Sequence, residues 1–111
     1  MSKTAKINSD LYDAMLKEYY ESVEQWAKRN NYPMSEHAID IASKILAHRD
    51  KALPYPPGGF IHCFLSNDFE GVMTNIGSTL KPHLFNIFKA WYNIDSYEIK
   101  FKYFPEKTGL E

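Results

Sequence analysis

A mainly α fold, a compact bundle of about five helices closed by a C-terminal β-strand, is predicted by three features of the sequence. Apolar residues recur at three- and four-residue steps over two long segments. A Pro-Pro-Gly-Gly run at residues 56–59 divides these from shorter segments rich in rings, and the last segment changes to a two-residue rhythm. The expected helices are two long, two short and one central and apolar.

The 111 residues suit a single domain, and a hydrophobic fraction of 44% with 15% aromatic residues implies a core built on rings. Residues 1–8 are polar and without periodicity and are expected to be a flexible lead-in; residues 9–111 form the domain. Ser9 is the expected N-cap of the first helix, with Asp10 and Asp13 near its positive dipole end. Leu11, Met15, Tyr19, Val23, Trp26 and Ala27 give that helix its apolar face, and Asn30-Asn31 followed by Pro33 stop it. Ser35 caps the second helix, whose inner face is Ala38, Ile39, Ala42, Ile45 and Leu46; Lys44, Arg49 and Lys51 lie toward its negative end. The two should form an antiparallel hairpin.

Leu53 to Gly59 must be extended and turned, because a residue before proline is driven from the helical region. Phe60, Ile61, Phe64 and Leu65 then fit a short buried helix, and Gly58-Gly59 at its start implies close approach of the backbone to a neighbour. Asn67-Asp68 caps a second short helix carrying Phe69, Val72 and Met73, which ends at Gly77. Pro82 opens the next helix, and its Leu84, Phe85, Ile87, Phe88, Trp91 and Tyr92 leave so little polar surface that a central position is expected. Tyr97, Ile99, Phe101 and Tyr103 alternate with Glu98, Lys100 and Lys102, the pattern of a half-buried strand over 97–104. An unpaired strand edge would recruit another strand, from a second copy or from a different protein.

The composition narrows function more than any motif does. Thirteen basic against fourteen acidic residues leave a formal charge of -1, too little field for a general nucleic-acid binder and too little acid for a mimic of DNA. The lone Cys63 excludes an intramolecular disulfide and suits a reducing compartment. Neither a signal peptide nor an apolar run of about eighteen residues is found, so no membrane association is expected.

No catalytic, cofactor or metal site is predicted. His37, His48, His62 and His83 lack ligand spacing, and His62 beside Cys63 would diverge on a helix. Cys63 between His62 and Phe64 lacks the electropositive setting of a nucleophile, Asn67-Asp68 offers one carboxylate where acid–base work needs a pair, and Gly58-Gly59 lacks the lysine of a phosphate loop. The rings and the terminal strand remain: Tyr20, Trp91, Tyr97, Ile99, Phe101 and Tyr103 are the candidate partner-binding residues, since Tyr and Trp bury area while keeping a polar handle and the strand offers its apolar side chains.

Pro57-Gly58-Gly59-Phe60, Leu65-Ser66-Asn67-Asp68-Phe69 and the later helix ending in Tyr92-Asn93 follow in an order and spacing that resembles a group of small uncharacterised proteins of bacteriophages and prophages. The likeness spans roughly residues 53–95. Gly71 stands where that group has alanine, and Thr74-Asn75-Ile76 replaces its Arg-Ala-Asp. The resemblance implies a phage accessory product in the host cytoplasm, binding a host or phage protein and blocking a defence or a host enzyme, with no reaction implied. Two other functions are weighed. One is a nucleic-acid-associated regulator using Lys81, Lys89, Lys100 and Lys102; the other is a small enzyme using His62, Asp68 or Cys63.

Overall fold

The structure, a computed structural model, describes residues 3–105, with side chains from Asp10 onward; Met1, Ser2 and the segment after Pro105 lie outside the described residues. Six α-helices follow in order: α1 (Lys3–Arg29), α2 (Glu36–Arg49), α3 (Gly59–Leu65), α4 (Phe69–Asn75), α5 (Leu84–Asn93) and α6 (Tyr97–Tyr103), with a 3-10 turn over Lys81–His83. The mainly α expectation holds, while the C-terminal strand is overturned, as the described residues contain no strand.

Two long helices form the expected antiparallel hairpin, with Trp26 meeting Tyr32 beside the turn and Tyr19 meeting Asp50 at the far end. Its core is the periodic set: Met15, Tyr19, Val23, Ala38, Ala42, Ile45 and Leu46 are at most 1% exposed. The start of α1 corrects the sequence reading, because the helix begins at Lys3 and Ser9 lies inside it. Ser35 does cap α2, its hydroxyl accepting from the Ala38 amide at 3.2 Å.

Three junctions use one device. Asn31, Lys51 and Asn67 have φ of 57°, 59° and 61°, and beyond each the chain folds back: Tyr32 N–H to Ala27 O, Ala52 N–H to Ala47 O, and Asp68 N–H to Cys63 O. Asparagine tolerates this left-handed conformation, but lysine carries its full steric cost. Lys51 is also exposed. Lys51→Gly should therefore raise the unfolding free energy by about 0.5–1 kcal/mol, the αL penalty minus glycine's extra unfolded entropy. The urea midpoint is the readout, and Asn31→Gly should move it less.

The C-terminal segment is helical because residues two apart along it also include pairs four apart. Tyr97 meets Phe101 edge-on at 4.7 Å on one side, while Ile99 and Tyr103 pack against the core. From α6, Lys102 and the Tyr103 hydroxyl both donate to Glu18 of α1, and Phe104 just beyond it packs its ring at a tilt against Tyr12, 4.9 Å between centres. A strand edge for pairing with a second copy or a partner is therefore absent from 97–104.

α5 is not central. Ile87 and Ala90 are fully buried against α2, but Phe85 is 70% and Tyr92 81% exposed. So small a bundle cannot surround a helix that is apolar on most sides, and its outer rings face solvent.

Candidate functional site: an aromatic face on a polar knot

The face begins with the short helical pair α3–α4. Asp68 caps α4 by accepting from the Gly71 amide at 3.0 Å, and Asn67 supplies the tight reversal before it. Close approach is required at Gly71 and not at Gly58-Gly59. A Cβ on Gly58 would meet nothing within 4 Å, and on Gly59 only Asn75 Oδ1 at 3.9 Å, so the tight backbone contact expected there is overturned. At Gly71 the same atom would lie within 3.0 Å of the Asp68 carboxylate and the Cys63 sulfur. Alanine would push Asp68 from its cap or turn the Cys63 side chain.

Phe64, 3% exposed, is the floor of the face. Its ring stacks on Phe88 at 4.4 Å and meets Trp91 edge-on at 5.7 Å; Phe88 in turn lies parallel to Phe69 at 6.1 Å, and Trp91 adjoins Tyr92 at 6.3 Å. A continuous run of rings thus crosses from α4 to the end of α5. Phe69 is 65% and Met73 46% exposed. Phe88 is shared by two hollows: one of about 280 Å³ lined by Phe88, Lys89, Trp91, Tyr92 and Asn93, and one of about 90 Å³ between α3 and α4. The indole N–H of Trp91 is buried without an acceptor among the described residues. Such an orphan costs roughly 1–3 kcal/mol.

The far end of α5 is held by a buried polar knot with no counterpart in the sequence reading. Arg49 donates to the Trp91 carbonyl at 2.6 Å, to the Ile94 carbonyl at 3.0 Å and to Ser96 Oγ at 3.0 Å, closing the C-terminal carbonyls of α5 with a cation. Asp50 accepts from Arg49 at 3.0 Å, from Ser96 Oγ at 2.7 Å and from the Tyr19 hydroxyl at 2.9 Å. Tyr19 is fully buried, and that burial, with Asp50 beside it, raises its hydroxyl far above the ordinary phenol value. The knot joins α1, α2 and the α5–α6 turn.

The structure divides the predicted partner-binding residues. Trp91 lies on the face; Ile99 and Tyr103 pack inward, Tyr20 is half-buried against the core, and Tyr97 and Phe101 form a separate ring pair on α6. Of the motif residues, Pro57, Phe60 and Leu65 are half-buried, while Phe69 joins the face. Phe85 and Tyr92 were visible as rings, but expecting a central helix concealed their outward position.

The polar candidates do not assemble into a reactive group. Cys63, Asp68 and Asn75 converge, with the Asn75 amide 3.8 Å from the sulfur; burial, then the Asp68 carboxylate, push the thiol upward, opposite to the shift a nucleophile needs. His62 is exposed, His37 pairs with Thr79 at 3.1 Å, and burial lowers His48 beside the Tyr55 ring. Among the described residues no three His, Cys, Asp or Glu side chains converge as metal ligands, and no helix is long and apolar enough to cross a membrane. Comparison of the chain with protein-family models, with curated proteins and with solved structures finds no match.

Proposed function

We propose that the chain is a noncatalytic interaction module whose aromatic face on α4 and α5 docks a protein partner. The carrying observation is the exposure of Tyr92 at the hollow by Trp91, with Phe85 reached through Lys89 and Phe69 exposed where the ring run begins at Phe88. Rings of this kind dominate binding energy when a partner covers them. The resemblance over roughly residues 53–95 adds the setting of a phage accessory product, with a host or phage protein in the host cytoplasm as partner and inhibition of a defence or enzyme as the effect.

The nucleic-acid reading has weaker support. Lys100 is 5% exposed and Lys102 is paired with Glu18 at 2.8 Å, which leaves Lys81 and Lys89 of the four lysines it invoked. Phosphate tracking needs several free cations on one surface.

The test uses two exposed positions whose replacement leaves the core intact. Wild-type protein and the Phe85→Ser/Tyr92→Ser variant are immobilised, and bacterial lysates with and without phage infection are passed over both. A specific protein retained by wild type should be depleted at least about tenfold on the variant, as expected when a hot-spot ring is lost. Thermal midpoints should agree within about 2 °C, since surface replacements change stability little. Identical retention by both proteins would refute the assignment of this face.

A further inference from the structure

We infer that the segment docking on this face is acidic and amphipathic, placing one apolar side chain in the hollow at Phe88, Trp91 and Tyr92 and a carboxylate against Lys89. This rests on the docking role of the face and adds the chemistry of what it takes. The hollow, about 280 Å³, is a wide, open depression walled by rings and not an enclosed cavity, so it suits a leucine- or phenylalanine-sized group presented by a larger partner.

Charge sets the sign of the partner. Lys89 is the one charged side chain of α5, and between Glu70 and Asp95, which bound this stretch, the chain carries Lys81 and Lys89 and no Asp or Glu, in a protein of net charge -1. Lys89 lies at the hollow with its ammonium 4.3 Å from the Tyr32 ring centre and 4.4 Å from that of Phe85. Among the described residues no carboxylate pairs with it. The rings hold the cation in place and thin the water around it, so an incoming carboxylate gains more than it would at an open surface. A basic segment meets like charge, and an anionic bilayer is favoured by clusters of about four to eight cations, more than this stretch carries.

Three synthetic peptides of one length test the inference: leucine and phenylalanine on one helical face with glutamate elsewhere, the same with lysine for glutamate, and the glutamate peptide with its apolar residues changed to alanine. Each is titrated into the isotope-labelled protein while the Trp91 indole N–H and the Lys89 and Tyr92 amides are followed by NMR. The acidic amphipathic peptide should shift all three signals, bind about tenfold more tightly than the lysine peptide and weaken with salt. Lys89→Gln should cost it about threefold and Lys89→Glu should reverse the order of the two charged peptides. Equal binding of both charged peptides at this face would overturn the acidic preference and leave the docking role standing; that role fails only if the exposed-ring variant retains every partner. Absence of any shift, or shifts away from Trp91, overturns the inference. So does binding only to phosphatidylserine vesicles, or a dimer in sedimentation that Tyr92→Ser dissolves without peptide binding.

Discussion

Asp50→Ala should lower the unfolding free energy by about 3–5 kcal/mol, because it strips three donors of their shared acceptor and leaves a cation beside them. Asp50 is 4% exposed and takes hydrogen bonds from Tyr19, Ser96 and Arg49 at once. Tyr19→Phe removes one donor and leaves Asp50 with two, so it should cost about 1 kcal/mol. Urea unfolding followed by far-ultraviolet dichroism measures both. A loss near 1 kcal/mol for Asp50→Ala would mean that water enters and replaces the carboxylate.

The same knot sets the alkaline limit. Tyr19 keeps its proton in the folded protein well above the ordinary value of 10.0, chiefly through burial and then the Asp50 charge, whereas the unfolded chain ionises near that value. Above pH 10 the unfolded state binds fewer protons, so stability is complete below that pH and falls as pH rises beyond it. Tyr20 and Tyr103 are raised as well, by burial first in one and by the hydrogen bond to Glu18 first in the other. Tyr19→Phe should therefore remove the largest part of the alkaline slope without abolishing it.

The two long helices were legible because local signals agree with tertiary ones: the apolar steps from Met15 to Ala27 are the buried positions, and Ser35, Asn31 and Asp68 perform the capping their chemistry favours. The last element was ambiguous in principle. In seven residues alternation and a four-residue repeat select the same side chains, and only Glu18 and Tyr12, far back in the chain, decide for the helix. Arg49 read only as a positive charge near a helix terminus and Asp50 carried no signal at all, since their partners lie 31 to 47 residues away. For α5 composition gave the rings but not their direction, because a bundle too small to enclose them forces half outward.

Phe64→Ala has the second large expected effect, and it acts on the candidate site directly. Removing a ring that is 3% exposed should cost about 3–5 kcal/mol through lost transfer energy and the cavity left behind. Its neighbours are the site: Phe88 and Trp91 lose the surface against which they stack, and Trp91 emission should shift to longer wavelength as water reaches the indole. Phe64 and Arg49 meet in Trp91, one through its ring and the other through its backbone carbonyl at 2.6 Å. A double-mutant cycle with the milder pair Phe64→Leu and Arg49→Lys should therefore show coupling of about 0.5–1.5 kcal/mol, although the two side chains belong to different clusters. Additivity within about 0.3 kcal/mol would mean that floor and clamp hold α5 independently; coupling means that the aromatic face keeps its shape because the buried knot fixes the carbonyl end of Trp91 while Phe64 fixes its ring.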